Sequence, residues 1–111
     1  MIIASHDTFP DLGCEAIIFL DDESGECFQI QRDLLGTVET PRPRYSITTG
    51  VGAPVDEGIL SWRRDDDEFE FALIPRAARL FGGASSLAFR VVAAEETTVA
   101  DIAAHLDRLV G

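Results

Sequence analysis

Carboxylates dominate the reactive groups of this chain. Twenty aspartates and glutamates stand against nine arginines, two histidines and two cysteines, with no lysine. A Ser or Cys nucleophile needs a base within hydrogen-bond reach. The candidates are His6, in an N-terminal stretch expected to be mobile, and His105, expected on the solvent face of a C-terminal helix. Asp101 stands one helical turn before His105, so a surface ion pair accounts for that histidine. Cys14 and Cys27 lack the helix N-terminus or basic neighbours that lower a thiol pKa, and read as core fillers. No catalytic residue is assigned, and the chain reads as non-enzymatic.

Metal and cofactor chemistry find no better footing. The runs Asp21-Asp22-Glu23 and Asp65-Asp66-Asp67-Glu68 are rich in carboxylates. Neither has the alternating ligands and terminal glutamate of a calcium loop. No Cys/His spacing suggests zinc. Gly50-x-Gly52 is followed by Ala53-Pro54-Val55 and a strand rather than a helix N-terminus, which removes a phosphate loop. Paired carboxylates for glycosidic chemistry cannot be singled out, because twenty acids offer too many pairs. Neither a metal nor a cofactor is expected.

Partner binding remains. A formal net charge of −11 argues against nucleic acid or an anionic membrane, whose surfaces are held by clustered Lys and Arg. It leaves room for a basic protein. Asp21, Asp22, Glu23, Asp65, Asp66, Asp67 and Glu68 are candidates to steer such a partner; the same charges would also keep exposed turns solvated. Trp62 alternates with Leu60, as a core residue would, yet Arg63 and Arg64 beside it also suit an interface anchor. Residues 41–45, an Arg/Pro segment ending in Tyr45, fit either an interface rim or an ordinary crossover.

The elements that must carry these residues follow from periodicity. Residues 14–20 are apolar on both faces, as in a central strand, and residues 26–32 alternate with Phe28 and Ile30 inward. Between them residues 21–25 form a polar turn, giving a hairpin in which Leu20 is expected opposite Glu26. That register separates Cys14 from Cys27 by roughly 16 Å, too far for a disulfide. Residues 58–64 and 68–74 form a second hairpin around Asp65-Asp66-Asp67, with Phe69, Phe71 and Leu73 on one side and Glu68, Glu70 and Ala72 on the other. Pro75 opens a short helix over residues 75–81, stopped by Gly82-Gly83. Leu87, Phe89 and Val91 alternate in a further strand. Thr97 or Thr98 caps a last helix whose stripe is Val99, Ile102, Ala103, Leu106, Leu109 and Val110. Residues 1–13 hold a short strand at 2–5 within an irregular or edge segment.

The expected architecture is one α+β domain over residues 1–111. It comprises a mostly antiparallel sheet with a short helix and a C-terminal amphipathic helix packed on one face. No basic leader precedes an apolar stretch, and no run approaches the ~20 residues of a membrane helix. A cytoplasmic protein is the default.

The pattern from Cys14 onward resembles the immunity protein 10 family of bacterial polymorphic toxin systems. The resemblance is carried by the strand and acidic turn over residues 16–22, Gln29-Ile30-Gln31-Arg32, the Tyr45 strand, the hairpin of residues 58–74, and Ala77 to Gly82 within the turn-and-helix. Where a glycine-rich step would precede the main hairpin, this chain has Pro54-Val55-Asp56-Glu57-Gly58. The resemblance implies a protein that binds and neutralises a cognate toxin and transfers no set of contact residues. As monomer or homodimer, it would meet a basic toxin with its acidic face. The alternative reading is an acidic secretion chaperone or another small interaction module, although such chaperones open with an amphipathic helix that residues 1–13 do not offer.

Overall fold

The computed structural model describes residues 1–33, 45–49 and 53–110. Residues 41–44 of the expected Arg/Pro segment and the Gly50-Val51-Gly52 loop lie outside the described residues, whereas its Tyr45 is described. In chain order the elements are β1 (Ile2–Phe9), β2 (Cys14–Asp21), β3 (Cys27–Asp33), β4 (Tyr45–Thr48), β5 (Val55–Asp56), β6 (Ile59–Asp65) and β7 (Glu68–Leu73). A single helical turn, α1 (Pro75–Ala78), runs into a 3-10 turn at Arg79–Phe81; β8 (Ser86–Ala93) and α2 (Val99–Val110) complete the fold.

All eight strands belong to one sheet, ordered β5-β4-β3-β2-β1-β8-β7-β6. Each neighbouring pair is antiparallel except β1 and β8, so this α+β fold has a mixed sheet. The parallel pair arises because β1, the first strand, lies in the middle of the order, and the chain returns to it only after seven strands. Where the sequence pattern suggested a short strand in an edge segment, β1 extends from Ile2 to Phe9 and pairs along its whole length with β2. Its alternation is hard to read because, after Ile2, the positions that follow on that face are Ala4, His6 and Thr8 rather than large apolar residues.

The two ends of the strand order, β5 and β6, are separated in the chain by Glu57 and Gly58 alone. That link forces the sheet to curl. Tyr45 on β4 secures the curl: its hydroxyl donates to the Ile59 carbonyl at 3.1 Å and accepts from the Ile59 N–H at 3.2 Å. Gly58 sits at the tightest point. A Cβ there would lie 2.8 Å from the Ala77 Cβ and 3.0 Å from Ile47 Cδ1.

The inner face of the curl holds the core. Phe19, Phe69, Phe71, Ile17, Ile30 and Ile47 are fully buried on the strands, and Ile102 and Leu106 face them from α2. Each such side chain contributes about 1.5–3 kcal/mol by leaving water. The apolar stripe of α2 packs over β1, β2, β3 and β8 as its spacing predicts. Thr98, the second of the two candidate caps, makes a reciprocal capping pair: the Asp101 N–H donates to its Oγ1 at 3.0 Å, and its own N–H donates to Asp101 Oδ2 at 3.2 Å.

One register differs from expectation. Leu20 faces Cys27 rather than Glu26, and the Asp21 N–H closes the turn onto the Glu26 carbonyl at 2.8 Å. Cys14 lies opposite Asp33 at the far end of the hairpin, and both cysteines are free thiols.

Candidate functional site

Both acidic tips stand where consecutive charges force a chain to turn into solvent. The β2–β3 turn presents Asp22 and Glu23 exposed, with Asp21 half-buried at its root. The Glu23 N–H donates to Asp21 Oδ1 at 3.0 Å, and this bond holds the Asp21 carboxyl below its ordinary range. The Met1 ammonium lies 3.1 Å from Asp22, 3.6 Å from Glu23 and 3.8 Å from Asp21, so this tip is partly neutralised. Hydrogen bonding to Asp22 in turn raises the pKa of that ammonium.

The β6–β7 tip is different. Asp65 pairs across the hairpin with Glu68, leaving Asp66 and Asp67 as the two-residue turn, with Asp66 in the left-handed region at φ 56°. Among the described residues, none of Asp65, Asp66, Asp67 or Glu68 has an ion pair. The nearest paired charges are Arg63 and Glu70, at 2.9 Å and facing each other two rungs away. The two tips leave the sheet in opposite strand directions, β2 running against β8 and β6 along it, although their roots lie on neighbouring rungs, Asp21–Ile2–Val91 and Arg90–Glu68–Asp65.

Trp62 joins neither tip. It packs half-buried on the edge strand β6, its ring 6.0 Å from Phe69 and 6.4 Å from Phe71 at low tilt. With Ser61, Arg63, Glu70 and Ala72 it lines a shallow recess.

A larger feature opens on the inner face, between the β2–β3 turn and the 3-10 turn. This cleft of about 760 Å³ is floored by Phe19, Phe28, Phe89 and Leu87 and walled by Leu80 and Phe81. Phe28 stacks on Phe19 at 4.8 Å and meets Phe81 edge-on at 5.4 Å. Asp21 and Glu26 bring the acidic turn to its lip. Sequence reasoning missed the cleft because it is assembled from separated segments, and no local spacing reports it.

It also missed a charge cluster built on one buried carboxylate under α2. Glu15, 4% exposed, faces the inner side of β2 in a stretch that otherwise reads as apolar. Arg108 grips it bidentately, Nη2 to Oε1 at 2.6 Å and Nη1 to Oε2 at 2.8 Å. His6 Nε2 donates to Oε1 at 3.1 Å. Led by the Arg108 hydrogen bonds and aided by His6, these partners lower the Glu15 pKa to about 2 against the opposing effect of burial. His105, expected on the solvent face, instead stacks on His6 with centroids 3.7 Å apart and planes 5° from parallel. Its Nδ1 accepts from Arg108 Nη2 at 2.8 Å, which places the ring proton on Nε2. Burial, together with the nearby His6 and Arg108 charges, lowers the His105 pKa. Asp101 is occupied at the helix cap instead of pairing with His105. Arg32, on the rung opposite Glu15, donates Nη1 to the Arg108 carbonyl at 2.7 Å. A lone carboxylate inside an apolar central strand was the available signal, since a buried charge demands a cationic partner.

The donor atoms of His6, Glu15 and His105 lie within 4.8 Å of one another, a separation compatible with metal ligation. Two features argue for an ion-pair network instead. Arg108 occupies both carboxylate oxygens, and parallel stacked imidazoles aim their nitrogen lone pairs side by side rather than at a common point. Among the described residues no helix is long and apolar enough to cross a membrane. No protein-family model, curated protein or solved structure matches this chain.

Proposed function

We propose that this protein is a non-enzymatic, immunity-type inhibitor that binds and neutralises a basic toxin domain in the bacterium that makes it. The observation that carries the reading is the β6–β7 tip. Four successive carboxylates sit on a tight hairpin and make no ion pair among the described residues, although Arg90 stands on the rung opposite Glu68. Like charges about 6 Å apart in water repel by roughly 0.7 kcal/mol each. A basic surface relieves that repulsion, whereas an anionic one adds to it. The net charge of −11 extends the same preference over the whole molecule. The resemblance to the immunity protein 10 family supplies the class of partner. Electrostatic attraction would set the association rate, and apolar contacts would set residence time.

The test uses the purified chain and the product of the neighbouring toxin gene. Co-expression should restore growth, and the association rate should fall about tenfold or more between roughly 20 and 200 mM salt. Neutralising the tip with Asp65→Asn, Asp66→Asn, Asp67→Asn and Glu68→Gln together should slow association without changing the unfolding midpoint for the worse. A salt-insensitive complex would remove the electrostatic mechanism. Absence of any complex would remove the inhibitor reading.

A further inference from the structure

We propose that the cleft between the β2–β3 turn and the 3-10 turn is a recognition pocket for a peptide segment of the partner in which a large apolar side chain adjoins Lys or Arg. This deepens the inhibitor reading and rests on it only for which protein supplies the segment.

The floor supplies the apolar half of the match. Phe28, half-buried, is braced by stacking on Phe19 and by edge contacts with Phe81 and with Phe89 at 5.8 Å. The volume of about 760 Å³ falls in the range of roughly 300–1,000 Å³ typical of ligand sites, ample for one large side chain and its neighbours. Both walls are already formed. The Gly25 N–H closes onto the Asp21 carbonyl at 2.8 Å, and the Gly83 N–H onto the Ala78 carbonyl at 2.8 Å. Pre-formed walls spare a ligand the entropy of ordering them.

The lip supplies the charge. Asp21 and Glu26 line the cleft, and no basic side chain is among its described lining residues. Hydrogen bonding keeps Asp21 ionised at neutral pH, and the Met1 ammonium sits closer to Asp22 than to Asp21. Glu26 has no ion pair among the described residues. An anionic amphiphile would therefore meet repulsion at the mouth, whereas a cationic one would be drawn in. A peptide is the natural source of an apolar group with a cation one residue away, because a molecule of charge −11 selects basic protein surfaces.

The experiment titrates the isotopically labelled full chain with acetyl-Phe-Arg-amide and follows backbone amide shifts. Acetyl-Gly-Arg-amide and acetyl-Phe-Glu-amide serve as controls. Saturable shifts should concentrate at Gly25, Phe28, Leu80, Phe81 and Phe89, with weaker binding of both controls. Glu26→Gln should weaken acetyl-Phe-Arg-amide about 3- to 5-fold, and Phe81→Ala about tenfold. If Phe81→Ala loses its native spectrum, Leu80→Gln replaces it. Equal binding of either control, or shifts spread over both acidic tips, overturns the proposal. So do concentration-dependent shifts at the same residues without peptide, which would assign the cleft to a second copy of the chain. The same variants are then offered to the toxin. No peptide in the cleft but an intact toxin complex removes this proposal alone; peptide binding without a toxin complex removes the inhibitor reading alone.

Discussion

Replacing Glu15 by Gln keeps the shape of the side chain but removes the charge that Arg108 and His6 converge on. In the native protein the Glu15 pKa falls from 4.5 to about 2, a difference worth about 3 kcal/mol at neutral pH. Because the folded-state pKa is the depressed one, this stability is present above the unfolded value. It disappears as pH falls from about 5 toward 2. His105 adds in the same direction at a higher pH: its folded pKa is lowered, so stability declines as pH drops below about 6.5 and the unfolded chain takes up the proton first. Arg108 is 45% exposed and can rehydrate once its partner is neutral, which moderates the cost of the substitution. Glu15→Gln should therefore lose about 2–3 kcal/mol at pH 7. The assay is urea unfolding of both proteins at intervals from pH 7 to about 2.5. The stability gap should begin to narrow below about pH 5 and be largely lost by about pH 2.5, because the other carboxylates titrate alike in both chains. A gap under about 0.5 kcal/mol at pH 7, or one that stays constant to low pH, would refute the assignment of Glu15 as a buried, paired anion.

Three further substitutions test how the fold is held. Gly58→Ala should destabilise by about 1–3 kcal/mol in urea unfolding, since its methyl would sit 2.8 Å from the Ala77 Cβ; unchanged stability would mean the strands and α1 do not approach so closely there. Tyr45→Phe removes the hydroxyl that serves both the N–H and the carbonyl of Ile59, and should cost about 1–3 kcal/mol, with faster hydrogen exchange of the Ile59 amide as the local readout. Thr98→Ala should cost about 1 kcal/mol and fray the start of α2, seen as loss of amide protection near Asp101, while Thr97→Ala should be nearly neutral.

Legibility in the sequence followed sequence distance. The β6–β7 hairpin could be read because Phe69, Phe71 and Leu73 alternate with their polar neighbours, and the tip charges are consecutive. The stripe of α2 could be read for the same reason: a helix repeats its buried face every three or four residues. The Leu20–Cys27 register was missed by one residue, because a flexible polar turn carries no strong signal for its own length. Misreading His6 and His105 had a different cause. His6 lies on a strand whose inward residues after Ile2 are small or polar, and its stacking partner is brought from the other end of the chain only when α2 settles across β1.

Residue pattern alone therefore determined the α+β class, the two acidic tips, the reduced thiols and the amphipathic face of the last helix. Each follows from composition or from a period of two or 3.6 residues, which local backbone geometry imposes. Tertiary structure decided the central place of β1, the parallel β1–β8 pairing, the curl tied by Tyr45, and the opposed directions of the two acidic tips. It also decided the company kept by Glu15, whose partner Arg108 lies 93 residues away, and the aromatic cleft beside Asp21 and Glu26. These depend on strand order and on contacts between distant segments, which no local periodicity encodes.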